Sequence, residues 1–159
     1  MKKLIYLFLI LASCNSKNSN SETLPTNFEG KVVAIKDGDT YKIMCDGKER
    51  TIRLAHIDCP EKSQPFGKNA KQFASDLCFG KIAKVVSEGK TDRYKRLIAE
   101  VYVNEICVNK ELVKNGFAWH FIKYSDNEEY EELEKQARQN VVGLWTEIEP
   151  IAPWEWRRK

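Results

Sequence analysis

The 159-residue sequence predicts an α+β fold, mainly β, in which five strands form a small barrel and three helices pack around it. Three observations lead to this fold. Residues 31–57 contain three short strand patterns, in which apolar side chains form a run or alternate with other residues. Helical spacing follows at 66–77, and residues 82–86 and 97–103 return to strand character. Five short strands with a helix between the third and the fourth is the order of the OB fold, a Greek-key barrel.

The first three strands are separated by residues that favour turns. The first strand is the apolar run at 32–35. The next two strands place apolar side chains at alternate positions, namely Tyr41, Ile43 and Cys45, then Ile52 and Leu54. Asp46-Gly47 predicts a tight hairpin turn, and residues 37–39 mark the preceding connection.

The helices have recognisable limits. The first ends at Gly80 and carries apolar side chains at helical spacing: Phe66, Ala70, Phe73, Ala74 and Leu77. A short helix at 109–115 ends at Gly116. Ser125 and Glu128 fit a capping box at the start of the third helix, whose one face carries Tyr130, Leu133 and Ala137.

Residues 1–13 predict an export leader. Lys2 and Lys3 precede an apolar run at 4–12, which is shorter than the about 20 residues that span a bilayer. The run ends in "LASC", which is similar to a bacterial lipobox. Cys14 is therefore predicted to carry lipid and to anchor the protein to a membrane outside the cytoplasm. An ordinary secretory peptide that happens to contain a cysteine is the alternative.

The composition behind Cys14 predicts a flexible tether over residues 14–27, rich in Asn, Ser, Lys and Thr, and a folded domain at 28–159. Without residues 1–13, the chain has 24 basic and 23 acidic side chains. Acids are concentrated at 126–134, so the remaining surface is more basic than the total indicates. This pattern is compatible with a polyanionic substrate.

The four cysteines after Cys14 are spaced neither as a CxxC pair nor as a zinc site: Cys45, Cys59, Cys78 and Cys107. An exported protein can form disulfides, so free buried thiols and one disulfide remain equal alternatives. Cys59, between Asp58 and Pro60, admits two interpretations. It is either a reactive thiol or a bystander in a carboxylate site.

Three carboxylates are expected to converge at one end of the barrel. Asp39 ends the first turn, Asp58 ends the third strand and Glu61 follows it. Clustered oxygens suit a hard cation such as Ca²⁺ or Mg²⁺. The alternative is that Asp39 only ends a turn and Glu61 is solvated.

Two arginines strengthen the carboxylate hypothesis. Arg53 lies in a strand, where an unpaired charge is costly to bury, and Arg96 opens the fifth strand. Two guanidinium groups facing a carboxylate-bound cation would clamp a phosphate, because the rigid fork matches phosphate oxygens. Surface salt bridging is the alternative for Arg96.

The segments "DGDT", "RLAHIDCPE", "TDRYKR", "NG-A" with a following tyrosine, and "GLW" occur in this order. In these segments the chain resembles the staphylococcal nuclease (thermonuclease) family, from Val32 to Trp145. The acid-Pro-Glu loop combined with the two arginines is the specific part of the resemblance. It implies a calcium-dependent endonuclease that cleaves DNA, RNA or both, and we expect a monomer.

The resemblance also implies individual roles. Asp39 and Asp58 would bind calcium directly, together with the backbone carbonyl of Cys59 and a water held by Glu61. Glu61 would also be the general base.

Arg53 and Arg96 match the phosphate-binding arginines of the family. Tyr94 and Tyr124 match tyrosines that contact the nucleotide, and Arg93 stands where the family has a basic phosphate contact.

The chain departs from the founding member of the family in three places. Cys59 replaces a threonine, Ile122 replaces a second tyrosine, and the loop after Glu61 is shorter. These changes concern loop contacts and substrate preference. The resemblance implies that only the carbonyl of Cys59 is a ligand, so its thiol is expected to be a bystander. His56 and His120 are expected to pack in the core or groove rather than to act as base or ligand.

Two other functions compete with the nuclease. A non-catalytic OB-fold module would bind nucleic acid without cleaving it, and a structural surface lipoprotein would do neither. Three carboxylates aimed at a polyanion would weaken binding, so their presence favours the enzyme.

Overall fold

The computed structural model describes residues 26–158. The predicted leader and the predicted lipidation site Cys14 lie outside the described residues. The strands are, in chain order, β1 Asn27–Asp37, β2 Thr40–Cys45, β3 Lys48–Leu54, β4 Ile57–Asp58, β5 Ile82–Val86, β6 Leu97–Val103, β7 Ile106–Cys107 and β8 Trp119–His120. The helices are α1 Gly67–Cys78, α2 Val108–Lys114, α3 Glu128–Gln139 and α4 Pro153–Trp156, with a 3₁₀ turn at Gly143–Thr146.

The five longer strands close into a barrel, which confirms the predicted fold class. Antiparallel pairing runs in the order β3-β2-β1-β5-β6, and parallel pairing of β3 with β6 closes the ring. β1 pairs with β5 through residues 27–31 and with β2 through residues 31–37. Two register shifts in β1, after Val32 and after Ile35, let one long strand curl around the barrel.

Buried and outward-facing side chains alternate along the strands, and the buried ones form the core. The side chains of Val32, Ile43, Ile52, Val85 and Val101 are fully buried, and their neighbours in sequence face outward or lie half-buried. Each such side chain contributes about 1.5–3 kcal/mol by leaving water. α1 and α2 cover the barrel, and α3 packs on α2. The four cysteines of the described residues are all free and buried, so the disulfide alternative is wrong.

The structure corrects the predicted start of α3. The cap is Asn127, whose side-chain oxygen accepts a hydrogen bond from the Glu129 amide at 3.0 Å. Ser125 instead accepts hydrogen bonds from the Asn127 amide and shares its hydroxyl with His56 and His120. The predicted capping box does not form, because the Ser125 hydroxyl already has His56 and His120 as partners.

Short elements that the sequence did not predict position the site. The sequence analysis placed Asp58 at the end of the third strand, but β3 ends at Leu54, and Asp58 lies in β4, where pairing with β8 sets it opposite Trp119. In residues 26–158, no helix combines the length and apolar character needed to cross a bilayer.

Two glycines permit close approaches beside these short elements. At Gly38 an added Cβ would lie 2.7 Å from the Sγ of Cys59, so the β1–β2 turn rests on that side chain. At Gly67 an added Cβ would collide with the carbonyl oxygen of Glu61. Gly67 therefore lets α1 begin directly against the loop that carries Glu61.

We expect Gly67→Ala to lower the free energy of unfolding by about 1–3 kcal/mol, the range for overpacked sites, because the backbone at Glu61 must move. Denaturant unfolding measures the change. Lys68→Ala, at the next, exposed position of α1, is the control and should alter stability by less than about 0.5 kcal/mol. Equal stabilities of Gly67→Ala and the control would contradict this packing.

Candidate active site

The candidate site is a groove of about 1110 Å³ at one end of the barrel. Its walls come from Asp37 and Asp39 of the β1–β2 turn, from residues within 53–61 and 91–98, and from residues near the C-terminus. Tyr124 belongs to a further segment of the wall. Small-molecule sites commonly occupy about 300–1,000 Å³, so this open groove suits an extended ligand.

The guanidinium of Arg53 lies at the bottom of the groove with 13% of its side chain exposed. One terminal nitrogen lies 2.9 Å from Asp58 Oδ1 and 3.2 Å from Asp39 Oδ2. The other donates a 2.7 Å hydrogen bond to the carbonyl of Leu54. Arg53 thus brings the two predicted calcium ligands, Asp39 and Asp58, together. The charge of Arg53, which the sequence analysis expected to need a partner, is paired with both carboxylates.

Asp39 joins the β1–β2 turn to β4. Its Oδ2 accepts a 2.8 Å hydrogen bond from the Cys59 amide, and its Oδ1 accepts one from the Thr40 hydroxyl. Asp58 is nearly fully buried, which raises the pKa of its carboxyl, and hydrogen bonding from Arg157 opposes that shift. Two buried carboxylates therefore occupy one small volume.

Arg96 reaches the same end of the barrel from the connection between β5 and β6. Its Nε donates to Asp92 Oδ2 at 2.6 Å, and a terminal nitrogen donates to the Thr40 hydroxyl at 3.0 Å. Thr40 thus links Arg96 to Asp39. The sequence analysis missed both Thr40 and Asp92, although Asp92 stands in the "TDRYKR" segment four residues before the arginine that it holds.

Glu61 lies in the loop between β4 and α1, with 39% of its side chain exposed. Gln64 fixes the loop, because its side-chain oxygen accepts a hydrogen bond from the Glu61 backbone amide at 3.1 Å, and its backbone amide donates one to the Glu61 carbonyl at 2.8 Å. The Glu61 carboxylate accepts a 2.7 Å hydrogen bond from Arg157. The tail residue Arg157 is a site residue that the sequence analysis did not identify.

Asp37 is a further carboxylate that the sequence analysis missed. Burial, followed by the nearby charge of Asp39, raises the pKa of Asp37 to about 6. Its Oδ1 accepts a hydrogen bond from the Asp39 amide at 3.2 Å. The "DGD" spacing was the available signal, since both acids flank one tight turn.

The predicted nucleotide contacts line the same groove. Tyr94 and Tyr124 are 63% and 71% exposed, and a cationic group lies over each ring, Arg93 at 4.7 Å from the centre of Tyr94 and Lys123 at 5.3 Å from that of Tyr124. Arg93 donates a 2.6 Å hydrogen bond to the Tyr94 hydroxyl. Ile122, which replaces a tyrosine of the founding member, is exposed in the groove wall.

The two histidines share one hydroxyl. His56 Nδ1 and His120 Nε2 lie 2.9 and 3.0 Å from Ser125 Oγ. His56 stacks on Tyr130 at 4.8 Å between ring centres, and burial lowers the pKa of His120. The structure therefore gives both rings packing and hydrogen-bond partners, as expected for positions in the core and groove wall.

The chain is similar in sequence to known proteins. Residues 51–147 match the family model described as "Staphylococcal nuclease homologue". The chain belongs to the staphylococcal nuclease family. It is 37% identical over 160 aligned positions to a Haemophilus influenzae protein named "Uncharacterized endonuclease", covering all of this chain and 84% of that protein. It is also 37% identical over 144 positions to the "Micrococcal nuclease" of Shigella flexneri, covering 83% of this chain and 82% of that protein. A third relative, "Protein ParB" of Escherichia coli, is 35% identical over 170 positions, covering all of this chain and 96% of that protein.

The carboxylates fit the cation that the staphylococcal nuclease family implies. Asp39 and Asp58 supply hard oxygen donors, and each carboxylate has about four acceptor positions, more than the contacts seen here use. Within residues 26–158, no three side chains of His, Cys, Asp or Glu form a metal cluster by themselves. A bound cation would therefore also need backbone or water oxygens, as in the expected ligand set.

We expect the Cys59 thiol to react slowly with iodoacetamide in the folded protein. The side chain is 4% exposed and packed on Gly38, and burial raises the thiol pKa well above its usual range, so the thiol stays protonated at pH 8. Residue-specific labelling followed by mass spectrometry measures the rate. Cys78, a buried thiol of α1, is the internal control. Labelling of Cys59 much faster than Cys78 in the native state would restore the reactive-thiol interpretation.

Proposed function

We propose that the protein is an exported, calcium-dependent endonuclease that hydrolyses phosphodiester bonds of DNA, RNA or both. The observation that carries the proposal is the pair of buried carboxylates, Asp39 and Asp58, held on Arg53 beside Arg96 and Glu61 in one groove. Membership of the staphylococcal nuclease family, with relatives named endonuclease and micrococcal nuclease, supports the same reaction.

Asp39 and Asp58 would hold the calcium ion, with the backbone carbonyl of Cys59 and a water held by Glu61. When bound, the ion supplies positive charge that offsets the charge of the phosphodiester. The buried position of Asp58 also limits competition from bulk water.

The two arginines would bind the phosphate oxygens. A phosphodiester resists attack because its own negative charge repels a nucleophile, and charge increases on its oxygens during the reaction. Arg53 and Arg96 are held by Asp58 and Asp92 before substrate arrives, so little reorganisation is needed when they donate to those oxygens. Each guanidinium has five N–H donors and retains some for substrate.

Glu61 would orient the attacking water and accept its proton. The carboxylate is partly exposed, so water can reach it, and Gln64 keeps its backbone in place. General-base catalysis contributes typically about 10²–10⁴ in rate. The exposed rings of Tyr94 and Tyr124 would stack on or flank unpaired bases, with Arg93 at a neighbouring phosphate, so single-stranded or breathing substrates should be preferred.

Glu61→Gln separates the endonuclease from a binding module. We expect cleavage of plasmid DNA and of RNA to fall by about 10²–10⁴, because the base is lost. Affinity for a single-stranded oligonucleotide should hold or improve, because one negative charge in the groove is removed. Cleavage and binding are measured in millimolar calcium at fixed salt, and replacing calcium by a chelator should abolish wild-type cleavage.

Glu155→Gln is the matched control, because Glu155 is exposed at the edge of the same groove. It removes the same charge and should leave the cleavage rate within about twofold, the scale of a surface charge contribution. If wild-type protein binds oligonucleotides without cleaving them in calcium, and Glu61→Gln behaves identically, the domain is a binding module.

The proposed location rests on the sequence around Cys14. We expect Cys14→Ser to release the protein from the membrane fraction or to leave its precursor uncut, because the lipid attachment site is lost. Fractionation of cells and the mobility of the product measure this. Cys45→Ser, at a buried cysteine of the barrel, is the control for loss of a thiol. Membrane partition of Cys14→Ser equal to wild type would refute the lipid anchor.

A further inference from the structure

The C-terminal tail brings an additional guanidinium onto the candidate cation site. Arg157 lies 2.7 Å from Asp58 Oδ2 through one terminal nitrogen. Its other terminal nitrogen lies 2.7 Å from Glu61 Oε1 and 3.4 Å from Asp58 Oδ1. Arg157 lies beyond the residues matched by the family model, and none of the comparisons assigns it a role. Its fork bridges the two carboxylates on which the proposed chemistry depends.

Packing that does not involve Arg157 anchors the tail. The Trp154 ring of α4 stacks on Phe121 with 5.1 Å between centres and an angle of 2°, and meets the edge of Trp119 at 5.7 Å. Gln64, which also fixes the Glu61 loop, donates a 2.5 Å hydrogen bond to the Ile151 carbonyl. The tail backbone is therefore held at the groove, and Arg157 can leave the carboxylates by rotating its side chain alone.

Arg157 and Arg53 differ in how easily they can be displaced. Arg53 is buried between its carboxylates, whereas 43% of the Arg157 side chain is exposed. Water can solvate the Arg157 guanidinium when it departs, so its ion pairs are the weaker ones. A cation that binds Asp58 would therefore leave Arg53 in place and displace Arg157.

We propose that Arg157 and the divalent cation compete for the carboxylate of Asp58 beside Glu61, so that the tail arginine sets the calcium concentration at which the site fills. Arg157 occupies Asp58 Oδ2, the oxygen that Arg53 leaves to the cation, and its contact with Glu61 takes the place of the water that Glu61 would hold. The guanidinium neutralises the carboxylates until calcium replaces it. The inference rests on the calcium site of the proposed function.

Isothermal titration calorimetry of the full chain with calcium chloride tests the competition. If the tail contact is formed about nine-tenths of the time, Arg157→Gln should lower the calcium Kd about tenfold, because only the open state binds. Arg158→Gln is the control, since it removes an equal charge from the next, exposed residue. It should change the Kd by less than about twofold, the scale of an exposed charge.

Denaturant unfolding distinguishes competition from a structural role. In chelator, Arg157→Gln should be less stable than wild type, because its ion pairs are lost. In saturating calcium the two proteins should have equal stability, because the wild-type arginine is already displaced. Loss of stability of the same size in both conditions would show a purely structural role and overturn the inference.

The calorimetry also separates the two proposals. Equal calcium Kd values for wild type and Arg157→Gln overturn the competition and leave the calcium site intact. A wild-type chain that binds no calcium overturns the proposed cofactor, and the competition with it.

Discussion

Arg53 carries a positive charge at the bottom of the groove, and the site is arranged so that carboxylates neutralise this charge. Asp39 comes from the β1–β2 turn and Asp58 from β4, and both meet the same guanidinium nitrogen. A buried charge without a partner costs several kcal/mol, so these segments have to meet once Arg53 is placed by β3. The pairing of Thr40 with Arg53 across β2 and β3 fixes the same register.

Negative charge exceeds what Arg53 can neutralise. Asp37 and Asp39 flank one turn, and Asp39 and Asp58 meet one guanidinium nitrogen, while burial and then the charge of Asp39 raise the pKa of Asp37. Arg96 is already committed to Asp92. The remaining charge is the physical argument for the proposed cation at this end of the barrel. It also accounts for the attraction of the tail arginine, since Arg157 contacts Asp58 Oδ2 from the groove.

The rim of the groove has a different character from its floor. Exposed aromatic rings and basic side chains, among them Tyr94, Arg93 and Tyr124, surround the buried acids. A polyanion that contacts the rim would bring its phosphate over the carboxylates only when a cation is present between them. The rim would thus provide affinity for nucleic acid, and the floor would provide catalysis. A binding module on this barrel would need only the rim, whereas a nuclease would need both.

The sequence by itself determined the barrel and most of the floor of the site. Alternation in β2 and β3, the turn residues and the helical spacing of α1 are local signals, and they were sufficient for the fold class. Arg53 was recognisable because a charge inside a strand needs partners, and the acids next to turns supplied them. Tertiary structure alone decided the rest. Ser125 caps no helix because His56 and His120 engage its hydroxyl, and Cys59 is buried because it packs against Gly38. Arg157 reaches Glu61 across 96 residues because Trp154 packs on Phe121, and no local pattern records a contact that depends on where the tail meets the barrel.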